Sequence, residues 1–379
     1  MKKQVFALAA ALVVAAAGFA TDVTAATYKI GVAGPMTGDQ GKMGQDIHNG
    51  VKLAIQEWMA ENPGHKVETV VGDDQHDPKQ AVAVANKFVN EGVIGVIGHY
   101  NSSCSIPAST VYLEGNIVQI TPASTNPTFT DRGMWNVFRV CGRDDQQGIV
   151  AAKFVADKGI KRIAILHDKT TYGQGLADAF RDALKKNHNM EPVFYGGITQ
   201  GDKDFTAALT SVKAQNPEVL YFGGIYPEAG LLAKQAKDLG INARFMSGDG
   251  TIDPEFVKIA GKAAAEGSWL TFSPDIRNIP TAKASVEAYE KQFGPVGPYS
   301  IYSYVSAKIL LEAVKATGAK SARDSKKIAD HIRNTTWNTA YGTLKFDKKG
   351  DVTESPYVVY ETRDGNFVQI TGLNQQASK

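Results

Sequence analysis

Four serines and one of the chain's two cysteines fall within Gly98 to Ser109, GHYNSSCSIPAS, directly after the apolar run VIGVI. Such a cluster can supply a nucleophile or a cradle of hydrogen-bonding groups. A thiol nucleophile would need Cys104 activated by His99, but the spacing puts His99 at a strand end and Cys104 inside a helix. No oxyanion-hole signature accompanies them. The cradle has more behind it. Ser102 and Ser103 stand where a strand turns into a helix, so a hydroxyl and free backbone N–H groups converge on one point, a natural anion site. A second loop, TPASTNP (121–127), is held extended by two prolines and offers carbonyls around Ala123 and Ser124, with the Thr125 hydroxyl beside them. Donors in one loop and acceptors in the other suit a zwitterion. Asp249, in SGDG, can face an ammonium group, and its flanking glycines permit close approach. Tyr172 in TTYGQG and Tyr226 in GGIYPE can wall a pocket with a ring and a polar tip. Plainer alternatives stay open at this point: a helix cap for Ser102, a turn aspartate for Asp249, helix-entry aromatics for the two tyrosines. The seven histidines are scattered without HExxH or paired-cysteine spacing, and neither GDQGKMG nor YGQG fits a nucleotide loop. The chain is therefore expected to use no metal or cofactor and not to be an enzyme.

These loops follow strands in a βα series. YKIGVAG, VETVVGDD, VIGVIG and IVQIT read as strands. They alternate with helices over 45–60, over 78–90 and from about Ser103, the first of them carrying Ile47, Val51, Ile55 and Trp58 at helical spacing. The pattern then restarts with RIAILHD, PVFYGGI, EVLYFGG and RFMSGD as strands and helices over 173–186, 205–215 and 227–239. Two such arrays predict an α/β protein with two similarly built lobes, each a parallel sheet flanked by helices. In an open sheet of this kind ligands sit beyond the carboxyl ends of the strands, where the polar loops lie. The last third differs. Helices over 281–293, 299–317 and 325–333 precede the strands AYGTLKF, SPYVVYET and NFVQI, which the turns DKKGD and RDGN are expected to join as hairpins. Such a tail is expected to return to the first lobe.

At 379 residues the chain exceeds what one hydrophobic core usually supports, and 43% hydrophobic with 21% charged residues is ordinary globular composition. The opening MKK, the apolar run VFALAAALVVAAAGFA and the small residues of VTAA read as a secretory leader over residues 1–26. No later stretch is apolar enough to span a bilayer, so the mature protein is expected to be exported and not membrane-embedded. Basic and acidic residues nearly balance, 41 against 39, without the clustered Lys and Arg of a nucleic-acid footprint. Two cysteines cannot make a disulfide framework, and their spacing leaves open whether they pair.

IGVAGPMTG, GDDQHDPKQAVAVANKFV, VIGVIGHYNSSCSIPAS, ITPASTNP, RIAILHDKTTYGQG, VLYFGGIYPE and FMSGDG, in that order, resemble the periplasmic leucine/isoleucine/valine-binding proteins of bacterial ABC importers over nearly the whole mature chain. The resemblance implies a type I periplasmic-binding fold: two Rossmann-like lobes with three hinge crossings, one over 27–143 plus 273–350, the other over 144–272 plus 351–379. It implies a periplasmic carrier of a neutral aliphatic amino acid, a branched-chain one first, that serves a membrane permease as a monomer. A sensory module of the same fold is the alternative, as is a binder of alanine, proline or a γ-amino acid. The resemblance puts Ser102 and Thr125 on the ligand carboxylate. The Ala123 carbonyl, the Thr125 hydroxyl and Asp249 meet the ammonium, and Tyr172 lies on the closing lobe. Relatives selective for branched side chains typically carry an aromatic at Met43, a tyrosine at Ile225, a glutamate at Asp249 and a disulfide between the positions of His76 and Asn101. Tyr100, Asn101 and Tyr299 would add polar groups beside the side-chain pocket.

Overall fold

The computed structural model describes residues 26–372; the leader read over residues 1–26 lies outside the described residues, Ala26 excepted. β1 (Ala26–Gly34), β2 (His65–Asp73), β3 (Gly95–Ile97), β4 (Val118–Thr121) and β5 (Val137–Arg139) form one sheet in the order β2-β1-β3-β4-β5. All its neighbours run parallel. Every residue of β3, β4 and β5 is buried, because helices cover both faces of a parallel sheet, and the polar Gln119, Thr121 and Arg139 are buried with the rest. The helix Gly41–Glu61 buries Ile47, Val51, Ile55 and Trp58 along one stripe. The next helix, Pro78–Asn90, starts where the sequence says it should. Asp77 accepts the Lys79 and Gln80 N–H groups at 2.6 and 3.1 Å, and Pro78 needs no donor in the first turn.

The second sheet holds β6 (Ile163–His167), β7 (Phe194–Gly197), β8 (Val219–Gly223), β9 (Arg244–Ser247) and β10 (Trp269–Phe272). A small hairpin follows, β11 (Trp337–Thr339) with β12 (Gly342–Leu344), and then β13 (Val358–Arg363) and β14 (Asn366–Gln369) complete the second sheet in the order β14-β13-β10-β9-β8-β6-β7. Only β13 and β14 run antiparallel to their neighbours.

The tail departs from expectation in one respect. Helices Lys283–Phe293, Ser300–Thr317 and Ser325–Asn334 do share the core of the first sheet, but β13 and β14 belong to the second. RDGN joins them as a hairpin. DKKGD makes only a narrow turn closed by the Phe346–Val352 bridge, and β12 pairs back with β11. The chain thus passes between the sheets three times: after β5, after β10 and between β12 and β13. Arg139, wholly buried at the end of β5, donates to Asp351 at 2.6 Å, and Arg143 reaches the other oxygen of Asp351 at 2.7 Å. One carboxylate therefore pins the first crossing to the third. Among the described residues no helix is long and apolar enough to cross a membrane.

Candidate ligand-binding site

In each sheet the strand order reverses beside the first strand, between β1 and β3 and between β6 and β8; crevices open beyond the carboxyl ends of strands at such points. The loops after β3 and β4 face those after β6, β8 and β9. Between them lies a small cavity, lined by Tyr100, Asn101, Ser102 and Ala123 on one side and by Tyr172, Ile225, Asp249 and Gly250 on the other.

The first side is rigid. The His99 carbonyl accepts the Thr121 hydroxyl at 2.8 Å, and its ring, with no exposure, bridges Asp74 at 2.7 Å and Tyr112 at 2.9 Å. Both ring nitrogens are thus engaged away from Cys104, whose thiol burial pushes far up in pKa; a His99–Cys104 nucleophile pair is not assembled. Cys104 and Cys141 are both buried and unpaired. Asn101, not Ser102, holds the N-cap position of the helix Ser102–Glu114, and its side chain makes no capping hydrogen bond. Ser102 is the first helical residue, where backbone N–H groups lack intrahelical partners, and its Oγ accepts the Asn126 N–H at 3.2 Å. The 121–127 loop is fixed from below: Arg139 donates to the Ser124 and Asn126 carbonyls at 2.7 and 3.1 Å.

The second side centres on Asp249. Its carboxylate accepts from Gln147 at 2.7 Å and Tyr172 at 2.9 Å on Oδ1, and from the Tyr299 hydroxyl on Oδ2. Burial raises its pKa, and these three donors oppose that rise by stabilising the ionised form. Gln147 is itself oriented by Thr271, which donates to its Oε1 at 2.7 Å, while the same oxygen accepts the Asp249 N–H at 2.9 Å. A side chain at Gly250 would put Cβ 2.8 Å from the Tyr172 ring, so the glycine after Asp249 is required by close approach. Tyr299 comes from the first-sheet side, so this carboxylate is held from both sides of the cleft.

The remaining residues singled out in the sequence divide. Tyr100 packs edge-on against Tyr299 with ring centroids 5.5 Å apart. Thr125 is buried against Asp144, in the loop that carries the lining residue Ala123, without lining the cavity itself. Ser124 turns away, its hydroxyl bonded to Ser105 at 2.6 Å and to the Tyr100 carbonyl at 3.0 Å. Met43 sits in the first-sheet core and does not line the cavity. Tyr226 closes the cleft mouth instead of walling the cavity: its hydroxyl donates to the Asp39 carbonyl at 2.6 Å, and Lys203 pairs with the Asp39 carboxylate at 3.2 Å. Where the resemblance pairs two cysteines, Gln40 stands between His76 and Asn101 and hydrogen-bonds both. His76 Nδ1 also lies 2.8 Å from Gln200 Nε2 across the mouth, and burial lowers its pKa to about 4. Gln147 and Asp144 went unread because β5, three residues long, was missed with the helix it feeds, Asp144–Asp157. The acidic pair opening RDDQQG was the available signal for that helix start.

Two α/β lobes joined by three crossings over a small cavity with the buried Asp249 carboxylate on one wall define a binding protein for a small ligand. The periplasmic binding protein family matches residues 27–366, and the chain belongs to that family. It is 45% identical over 348 residues to an amino acid binding protein of Pseudomonas aeruginosa, covering 90% of this chain and 92% of that one. It is 43% identical over 344 residues to Leu/Ile/Val-binding protein homolog 2 of Brucella abortus, covering 90% and 91%. The crystal structure of the leucine binding protein LivK from Thermotoga maritima superposes with a TM-score of 0.83 at 31% identity, covering 90% of this chain and 97% of that one.

Proposed function

We propose that the protein is an exported solute-binding protein that captures a free neutral aliphatic amino acid, a branched-chain one first, and hands it to the permease of an ABC importer. The observation that carries this is the pairing across one small cavity of a helix N-terminus bearing Ser102 with the buried Asp249 carboxylate. An anionic and a cationic group on one small molecule satisfy both ends. The names of the relatives agree with this class of ligand. In this reading Ser102 and Thr125 take the carboxylate. The Ala123 carbonyl, the Thr125 hydroxyl and Asp249 take the ammonium. Tyr100, Asn101, Ile225 and Tyr172 surround the side chain, with Tyr299 behind them. The lobes comprise 27–143 plus 273–350 and 144–272 plus 351–379, the protein acts as a monomer in the periplasm, and it catalyses no reaction.

Titration calorimetry against the twenty standard amino acids tests the reading. Leucine, isoleucine or valine should bind with one-to-one stoichiometry and raise the melting temperature. Absence of binding by every amino acid would remove it.

A further inference from the structure

Asp144 is a buried acid that the amino-acid reading leaves unused, and among the described residues it has both carboxyl oxygens unpartnered. It opens the helix Asp144–Asp157 with no exposure. The Thr125 hydroxyl, equally buried, is also unpartnered and lies against it. The two residues are locked together by the backbone, the Asp144 N–H donating to the Thr125 carbonyl at 3.0 Å. Buried polar groups are almost always satisfied, because each unsatisfied one costs its full desolvation. Three oxygens side by side, holding one rotatable hydrogen among them, therefore form a unit with a direction.

We propose that Asp144 is a positioning residue of the site: its carboxyl takes the Thr125 hydroxyl hydrogen, so that Thr125 Oγ1 presents only lone pairs to the ligand's ammonium group. This rests on the amino-acid reading above. With Asp144 protonated the hydrogen bond runs the other way, and Thr125 turns its own hydrogen outward, opposing the ammonium. The protonation of Asp144 thus decides whether Thr125 accepts or donates.

The surroundings set the sign. Burial raises the Asp144 pKa most, followed by the Asp249 charge, while the Thr125 hydroxyl and Arg139 oppose the rise and Asp145 adds to it. Tyr172, Tyr221, Tyr357 and Cys141 also face it, all held neutral by burial first. Arg139 is engaged by Asp351 and offsets the Asp144 charge only in part, so among the described residues the Asp144–Asp249 pair has no ion-paired cation of its own until an ammonium enters. An incoming ammonium favours the ionised form, so Asp144 gives its proton to solvent on binding and affinity rises with pH.

The test is calorimetry of the full mature protein with leucine, isoleucine or valine, whichever binds most tightly, in buffers of different ionisation enthalpy over a range of pH. Wild type should release up to one proton per ligand. Asp144→Asn, which keeps an acceptor for the Thr125 hydroxyl, should bind without that release and with a flattened pH profile. Asp144→Ala, which removes the acceptor, should lose about tenfold or more in affinity, with Asp144→Asn recovering most of it. Equal proton release in wild type and Asp144→Asn, or equal affinity of Asp144→Ala and wild type, overturns the assignment. If no amino acid binds, the functional reading falls alone. Asp144 is then judged on the ligand-free protein by the pH dependence of the Thr125 amide resonance, present in wild type and absent in Asp144→Asn; a wild-type resonance that does not move with pH rejects it.

Discussion

Removing the Asp249 carboxylate would leave Gln147, Tyr172 and Tyr299 with buried donors and no acceptor. Asp249→Ala should accordingly weaken amino-acid binding by about 2–5 kcal/mol, the usual cost of truncating one partner of a desolvated charge pair. Calorimetry reads this directly, and unchanged affinity would reduce Asp249 to a turn residue. Asp249 and Ser102 were legible in the sequence because each follows an apolar run at a glycine- or serine-rich turn, where a parallel sheet exposes its ligand groups. Gln147, which orients that carboxylate, was not. It lies within a helix that follows the three-residue β5, and only the folded chain brings it beneath Asp249. Tyr226 shows the converse failure: residue type and loop suggested a pocket wall, but its reach to Asp39 depends on how the facing lobe sits, which no local pattern records.

At the scale of elements, the long helices read well, Asp144–Asp157 excepted, and the three-residue strands β5 and β11 did not, because periodicity needs length to register. β5 offers only Val137, Phe138 and Arg139, and its last residue is a buried cation that looks exposed on paper. The packing of helix Gly41–Glu61 on helix Ser300–Thr317 was equally hidden, since it depends on Gly50. A Cβ there would sit 2.1 Å from the Ser300 carbonyl oxygen and 2.3 Å from the Ser303 hydroxyl. Gly50→Ala must push the two helices apart. Overpacking of this kind costs about 1–3 kcal/mol, which urea denaturation will show as a lowered midpoint. Ser300 directly follows Tyr299, so the same substitution should also weaken amino-acid binding; a stable variant with full affinity would show that the helix contact is slack.

Across the whole molecule, two arrays and a divergent tail were visible in the periodicity, which does not record which sheet the last strands join; only the family resemblance sets 351–379 with the second array. β13 carries the same β-branched signature whichever edge it meets, and its choice of β10 is a tertiary matter. The crossings that result are stapled by Asp351. Asp351→Ala would strand the buried Arg139 and loosen the loop whose carbonyls Arg139 holds. Breaking a buried pair in this way costs about 3–5 kcal/mol, to be read by thermal and chemical denaturation; a loss under 1 kcal/mol would mean that Arg143 and the backbone hold the crossings unaided. The bond from Tyr299 to Asp249 has a kinetic meaning as well. Because the carboxylate facing the cavity is anchored from the opposite side of the cleft, the cleft cannot part without that carboxylate losing a donor. Residence time and selectivity then share one lever: a substitution that reshapes what the cavity accepts through Asp249 or Tyr299 also resets how long the cargo stays enclosed.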